Sequence, residues 1–225
     1  MARRSMPPIR CVARMVRSRS ARRAFMILKG AGCMADRLSA LANLAAPPTA
    51  NGASAMLAEL RPAAIAQVTA WPEPAKSIEE AIGKLFSKAP GPVGTVVERG
   101  GVSMVTLAPG RYLLFSKADD LASALSAALP ASDAAVTDLS HARTMLRLSG
   151  EAAAEILGKG LAIDLHTSVF APGRAAQSVI HHMDVLVIGR KDRVFDLVVS
   201  RGFGLSLAEW LLDAGLEYGI GFQSP

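Results

Sequence analysis

Cysteine is nearly absent from this chain of 225 residues, which contains only two. Both of them, Cys11 and Cys33, lie within the first 33 residues. The rest of the chain therefore has no thiol from which to build a disulfide framework, a thiolate nucleophile or a thiolate metal site.

Long apolar runs and aromatic residues are also scarce. No run of about 18 apolar residues is present, so the sequence predicts no transmembrane helix. Aromatic residues make up 5% of the chain, too few to predict a stacking platform for nucleic-acid bases. No glycine-rich phosphate motif follows a predicted strand, which argues against a dinucleotide or triphosphate cradle.

The positive charge of the chain is concentrated at one end. The formal net charge is +6, but residues 1–33 contain nine of the 25 Lys and Arg residues and no carboxylate, which leaves 16 against 19 Asp and Glu, a net of −3, from residue 34 onward. This distribution argues against nucleic acid as a partner of the main body. The basic leader has the composition of a transit peptide. The alternative that we prefer is a start at Met34, with residues 1–33 disordered or not translated.

The order of apolar patterns predicts an α+β protein with two similar units. Residues 34–62 are interpreted as an N-terminal arm and linker, with a short helix over residues 36–44. Residues 63–135 and 136–222 each read as strand, helix, two or three strands and helix. This order fits two split β-α-β-like units, each an antiparallel sheet with its helices on one face.

Two local predictions concern glycine and histidine. Gly158 and Gly160 follow a short helical pattern and are expected to end that helix in the left-handed conformation. The alternation over residues 178–189 predicts a single strand, in which His181 and His182 point to opposite faces and do not share a metal ion.

Asp138, Asp164 and Asp196 are the only carboxylates that attract attention as candidates for a pocket, and none lies in a supporting motif. Asp164 and His166 share one face of an extended segment, a spacing that suits an ion pair.

Asp138 belongs to a second set with Ser140 and His141, which looks like an Asp/Ser/His group only superficially, because no nucleophile elbow is present. Asp138 and Ser140 are instead predicted to bond to local backbone at the entry to a strand. No catalytic, cofactor-binding or metal-binding residue is therefore assigned.

Several motifs, in order and over about residues 60–222, resemble the gamma subunit of heterotetrameric sarcosine oxidase. They are WP at residues 71–72, DLSHAR at 138–143, LRLSG at 146–150, LGKG at 157–160, DLH at 164–166, FAPGRAAQ at 170–177, FDLVVSRGF at 195–203 and SLAEWLLDA at 206–214.

This resemblance implies a fold related to the folate-binding domains of aminomethyltransferase-type proteins. It implies an accessory subunit of a cytoplasmic oxidase complex that demethylates sarcosine to glycine, with oxygen as acceptor, and transfers the one-carbon unit to tetrahydrofolate. The expected partners are alpha, beta and delta subunits, with no nucleic acid and no membrane. FAD, FMN, NAD and tetrahydrofolate are expected on the larger chains, zinc on the delta chain, and no cofactor on this one.

Two segments are the candidates for contact with those partners, residues 36–44 and residues 164–177. The alternative hypothesis is a stand-alone folate-binding or aminomethyltransferase-like one-carbon enzyme. That enzyme would need a buried carboxylate facing a pocket of about the size of a pterin.

Overall fold

The computed structural model describes residues 38–45, 52–73 and 75–223, and Ser39–Pro225 forms one compact unit. The predicted basic leader, residues 1–33, lies outside the described residues. The strands are β1 Ala55–Leu60, β2 Ala64–Ala70, β3 Val96–Arg99, β4 Val102–Ala108, β5 Arg111–Ser116, β6 Ala134–Asp138, β7 Arg143–Ser149, β8 Ala175–Ile180, β9 Met183–Gly189, β10 Val194–Ser200 and β11 Ile220–Gln223. The α-helices are α1 Ala75–Phe86, α2 Leu121–Ala128, α3 Ala153–Gly158 and α4 Gly204–Gly215.

The first sheet has five strands in the order β3-β4-β5-β2-β6, and every neighbouring pair is antiparallel. Alternation along β2 directs Ala64, Ala66 and Val68 toward the helices α1 and α2. Ile78 of α1 and Leu125 of α2 are buried in the same cluster. The two helices therefore cover one face of this sheet.

The second sheet has six strands in the order β11-β1-β7-β10-β9-β8. Its pairs are antiparallel except for β1 and β11, which run parallel. Leu146 and Leu197 on one face pack with Ile156 of α3 and with Leu207 and Leu211 of α4. Each sheet thus carries its helices on one face, and the predicted α+β class is confirmed.

The two sheets pack against each other through their remaining faces. Ile65 and Leu113 of the first sheet share a buried cluster with Met145, Ile188 and Val198 of the second. The layers follow the order helices, sheet, sheet, helices. At one side an isolated antiparallel bridge between Thr95 and Arg174 joins the two sheets directly, at the start of β3 and of β8.

The region predicted as arm and linker, residues 34–62, differs from that prediction in two ways. Residues 40–43 form a turn rather than a helix, while Asp36 and Arg37 lie outside the described residues. Leu41 of this turn is buried in the core, and Glu59 of β1 holds the turn through Ser39 Oγ at 2.5 Å and the Ala40 N–H at 3.2 Å. Strand β1, predicted as linker, lies inside the second sheet.

The division into residues 63–135 and 136–222 stays a prediction. Strand β6 spans the boundary between residues 135 and 136, and all of it pairs with β2 in the first sheet.

The predicted single strand over residues 178–189 is wrong. Strands β8 and β9 form a hairpin whose two-residue turn is His181-His182, and Ile180 pairs directly with Met183. His181 takes a φ of 53°, which is uncommon for a residue other than glycine. The signal was missed because this turn contains none of the Gly, Asn or Asp residues that usually mark such hairpins.

The prediction that Gly158 and Gly160 end α3 in the left-handed conformation is also wrong. Gly158 is the last helical residue, the following Lys159 is still right-handed, and neither Gly158 nor Gly160 has a positive φ. Gly160 has a different reason to be glycine. A Cβ there would lie 2.5 Å from Cζ2 of Trp210, so the side chain of Trp210 occupies the space that a larger residue would need.

Candidate functional site

A cleft of about 740 Å³ opens at one edge of the layer between the two sheets. It is bordered by the β3–β4 hairpin and the end of β5 in the first sheet, and by β7, β10 and the residue after β9 in the second. Its apolar lining includes Leu60, Val102, Phe115 and Met145. Its charged lining consists of five basic and two acidic residues, which are Arg61, Arg99, Lys117, Arg147, Arg190, Glu98 and Asp196.

Asp196 is the buried centre of this charged group. It lies in the middle of β10 with no exposed surface, and strand register places Arg147 of β7 directly opposite it. Because Val198 of β10 and Met145 of β7 face the other sheet, the period-two alternation directs Asp196 and Arg147 to the same side. A cross-strand ion pair follows from the register alone.

Two arginines bind the Asp196 carboxylate with three hydrogen bonds. Arg147 Nε donates to Oδ1 at 2.7 Å and Arg147 Nη2 donates to Oδ2 at 3.0 Å. Arg190 Nε donates to Oδ2 at 2.7 Å. Burying a carboxylate is costly unless it is paired and hydrogen-bonded, and these three charge-assisted bonds meet that requirement.

The network also connects the two sheets. Arg190 Nη1 forms an ion pair with Glu98, which lies on β3 of the first sheet. Ser103 of β4 donates to the same carboxylate at 2.8 Å. A chain of charges therefore runs from β7 and β10 across the cleft to the β3–β4 hairpin.

Arg147 is both fixed and accessible. The hydrogen bond to Asp196 raises the pKa of Arg147 above its ordinary value, so the guanidinium stays charged. Its side chain is 40% exposed, whereas that of Arg190 is 18% exposed. A guanidinium has five N–H donors, and within the described residues Arg147 uses two of them. The remaining N–H donors of Arg147 are of the kind that bind a negatively charged group.

The hydroxyl groups at the cleft have local structural roles. Ser103 donates to Glu98, and Ser116 Oγ accepts a hydrogen bond from the Ala118 N–H at 2.9 Å. No histidine or cysteine is present among the residues that line the cleft in the described part of the chain.

Of the three aspartates considered from the sequence, Asp196 alone lines this cleft. Asp138 lies at the end of β6, where its Oδ1 accepts a hydrogen bond from the Ser140 N–H at 2.8 Å. Ser140 is buried, and its Oγ accepts from the Ile65 N–H at 3.0 Å. The predicted bond to local backbone is confirmed for Asp138 and is wrong for Ser140, whose backbone partner Ile65 lies on β2, distant in sequence. His141 is exposed in the turn that follows.

The expected ion pair between Asp164 and His166 is not formed. Asp164 Oδ1 accepts from the backbone N–H of His166 at 2.9 Å, and the His166 ring Nδ1 lies 2.7 Å from Ser168 Oγ. A carboxylate two residues before an N–H commonly closes such a local turn, and here that bond takes the place of the ion pair.

Sequence reasoning missed Arg147, Arg190 and Glu98. A signal was present, because Asp196 and Arg147 each lie between two apolar residues of a strand, a position that a charged residue seldom occupies without a partner. The pairing itself requires the register between β7 and β10, which the local pattern does not specify.

Other features of the described residues bear on partners. Large apolar side chains are exposed on several elements, and they are Trp71, Leu85, Val93, Val169, Val179, Phe203 and Leu216, together with Leu38. No helix in the described ranges has the length and apolar character needed to cross a bilayer. Nor do those ranges contain a group of three or more His, Cys, Asp or Glu residues arranged to hold a metal ion.

Comparisons with known proteins agree on one family. The model of the "Sarcosine oxidase, gamma subunit family" matches residues 69–217. The sarcosine oxidase gamma subunit of Corynebacterium sp. (strain P-1) is 30% identical over 143 residues, which are 63% of this chain and 70% of that protein. The gamma subunit from Arthrobacter sp. gives the same identity and coverage.

Solved structures extend the agreement to the fold. A chain of the heterotetrameric sarcosine oxidase from Corynebacterium sp. U-96, in complex with pyrrole 2-carboxylate, superposes with a TM-score of 0.69 and 26% identity, over 76% of this chain and 89% of that one. Aminomethyltransferase T of the Bartonella henselae glycine cleavage system has a TM-score of 0.59 at 16% identity, over 76% of this chain and 48% of the other. The second likeness concerns the fold alone.

Proposed function

This chain belongs to the sarcosine oxidase gamma subunit family, and from that premise we propose that it is the accessory subunit of a cytoplasmic heterotetrameric sarcosine oxidase. Its partners are the alpha, beta and delta subunits. The complex demethylates sarcosine to glycine, with oxygen as the electron acceptor and tetrahydrofolate as the one-carbon acceptor. FAD, FMN, NAD, tetrahydrofolate and zinc belong to those other subunits.

The observation that carries this proposal is the match to a chain of a heterotetrameric sarcosine oxidase over 89% of that chain. Such agreement in fold over most of that chain supports a place for this chain in the same kind of assembly. Its exposed apolar side chains, which include Val169 and Phe203, are the kind of surface that is buried in an interface between subunits. Val169 lies within residues 164–177, one of the two segments proposed as contact surface.

Co-expression tests the accessory role. We expect the chain to co-purify in a defined stoichiometry with the alpha, beta and delta subunits encoded by the same genome, and the complex to oxidise sarcosine. The chain purified alone is expected to show no such activity. Failure to associate with those subunits under any order of mixing would contradict the proposal.

A second candidate is the stand-alone folate-binding or one-carbon enzyme. The fold likeness to an aminomethyltransferase and the presence of buried Asp196 beside a cleft of about 740 Å³ favour it. However, both oxygens of Asp196 already accept hydrogen bonds from arginines, so the carboxylate is not available to a pterin without displacing them. Saturable one-to-one binding of tetrahydrofolate by the isolated chain would support this candidate over the accessory role.

A further inference from the structure

The cleft beside Asp196 concentrates positive charge in a body that is otherwise acidic. From residue 34 onward the chain has 16 Lys and Arg against 19 Asp and Glu, a net of −3. The lining of this cleft has five basic residues and two acidic ones, a net of +3. The electrostatic potential of the cleft is therefore opposite in sign to that of the rest of the body. It attracts an anionic group to this edge of the molecule.

The donors left on Arg147 have a defined geometry. Its Nε and Nη2 side holds the Asp196 carboxylate, which leaves both N–H groups of Nη1 and one of Nη2. An N–H of Nη1 and the remaining N–H of Nη2 are parallel and form the end-on fork of the guanidinium, which matches the two oxygens of a carboxylate. One arginine can thus bind Asp196 on its side and a second carboxylate at its end.

This fork is already ordered before any ligand arrives. Asp196 is fully buried and holds the guanidinium in place with bonds of 2.7 and 3.0 Å. Because the side chain of Arg147 has lost its rotational freedom on folding, a ligand that binds it loses less entropy to ordering the site.

The rest of the lining favours a carboxylate attached to an apolar body. Phe115 and Met145 are almost completely buried and form part of the floor, beside Leu60 and Val102. The neighbouring turn at Gly100-Gly101 has no side chains to fill the opening. Lys117 and Arg99 add charge at the rim, whereas the apolar floor has little to offer a bare inorganic anion.

We propose that this cleft binds an organic carboxylate end-on through Nη1 and Nη2 of Arg147. The carboxylate comes either from a small molecule or from a side chain of a larger subunit, and the binding chemistry is the same in both cases. Only the second source rests on the proposed accessory function.

The first experiment titrates the isolated full chain with benzoate, an apolar-bodied carboxylate, and follows the backbone amide NMR signals. We expect saturable shifts at Val102, Met145 and Arg147, and weaker binding of inorganic phosphate. The variant Arg147→Lys keeps a charge for Asp196 but loses the fork, and it should weaken benzoate binding by about tenfold. Lys117→Gln, which leaves the Asp196 network intact, should weaken binding by a smaller factor.

Lys84→Gln is the matched control, since Lys84 is exposed in the last turn of α1, outside the cleft lining. It should bind benzoate as the unaltered chain does. The proposal is overturned if the unaltered chain shows no saturable shift at the cleft. It is also overturned if Arg147→Lys binds benzoate with unchanged affinity, whatever the effect of Lys117→Gln.

The assembled complex then distinguishes the two sources. If a partner supplies the carboxylate, the complex no longer binds benzoate at these residues, and Arg147→Lys weakens assembly. If the ligand is a small molecule, the complex still binds benzoate and Arg147→Lys assembles normally. Failure to form a complex would count against the accessory function and leave the result of the benzoate titration intact.

Discussion

At the scale of single residues, Asp196 shows how a charge is retained inside an apolar strand. Its neighbours in β10, Phe195 and Leu197, pack into the helix-covered core, while Asp196 faces the other sheet. Its desolvation is offset by three hydrogen bonds from Arg147 and Arg190. The stability of this site therefore depends on keeping all partners together.

Asp196→Asn should lower the free energy of unfolding by about 3 kcal/mol, because it leaves Arg147 without a counter-ion and Arg190 with Glu98 alone. Urea denaturation at pH 7 measures the change. Asp184→Asn is the control, since Asp184 is exposed on the neighbouring strand β9, and its effect should stay within about 0.5 kcal/mol. Equal effects of the two substitutions would contradict this view of the network.

Tyr112 makes the stability sensitive to alkaline pH. Burial raises the pKa of Tyr112, and the hydrogen bond that its hydroxyl donates to Glu79 at 2.7 Å adds to the increase. Above about pH 10 the unfolded chain loses the phenolic proton while the folded chain keeps it, so stability falls as the pH rises, by up to about 1.4 kcal/mol per pH unit.

Tyr112→Phe should remove that part of the pH dependence, although it also loses a hydrogen bond worth about 1 kcal/mol at neutral pH. Urea denaturation between pH 8 and pH 11 measures both effects. Tyr218→Phe, at the only other tyrosine, controls for the loss of a phenol elsewhere in the chain. An unchanged slope in Tyr112→Phe would refute the assignment.

At the scale of elements, the end of α3 depends on close packing against α4. Gly160 leaves room for the ring of Trp210, with 2.5 Å between a hypothetical Cβ and Cζ2. Gly158, two residues earlier, would meet no atom within 4 Å. The two glycines are therefore required to different degrees.

Gly160→Ala should destabilise the protein by about 1–3 kcal/mol, because the ring of Trp210 has to move. Gly158→Ala is the matched control and should be neutral or stabilising by about 0.5–1 kcal/mol, since alanine favours a helix over glycine. Thermal unfolding together with Trp fluorescence reports both outcomes. A similar loss in the two variants would mean that backbone conformation, rather than Trp210, decides the requirement.

The elements also show what sequence can predict here. Hairpin β3–β4 can be predicted from Gly100-Gly101, because a glycine pair suits a tight turn, and both glycines have positive φ values of 58° and 82°. Strand β10 and helix α4 follow from clear periodicity. By contrast, β11 has only four residues, and two of the six residues of β1 are alanines, which have a low strand propensity. These strands exist because the second sheet provides partners, which is tertiary information.

The candidate site shows the same division. Asp196 is a candidate from the sequence without a supporting motif, although its place between apolar neighbours in β10 is a local signal. Its partners Arg147, Arg190 and Glu98 come from β7, from the residue after β9 and from β3. No local pattern specifies which of the basic residues meets a given carboxylate, because strand register and the packing of two sheets decide it.

At the scale of the whole molecule, the two sheets share one buried layer. Leu113 of the first sheet and Val198 of the second lie in the same cluster, and the Arg190–Glu98 ion pair adds a polar link. A layer common to both halves couples their stability, because neither sheet can unfold without exposing the apolar face of the other.

We therefore expect the two halves to unfold together. Trp71 follows β2 in the first half and Trp210 lies on α4 in the second, and they are the only tryptophans. The variants Trp210→Phe and Trp71→Phe leave one reporter each, and their fluorescence midpoints in urea should coincide. Leu113→Ala should lower both midpoints, because it reduces the free energy of unfolding by about 2–5 kcal/mol. Two separate midpoints would mean that residues 63–135 and 136–222 are independent domains.

The position of β1 has a consequence for biosynthesis. This strand leaves the ribosome before the entire first sheet, yet its hydrogen-bonding neighbours are β7, which starts at Arg143, and β11, which ends at Gln223. During translation, the backbone groups of β1 therefore have no strand to pair with until most of the chain has emerged. Leu57, which is buried in the folded protein, stays in contact with water or a chaperone during that time. Nascent chains that stall before Gln223 should thus be more prone to aggregation and to proteolysis at β1 than the released polypeptide.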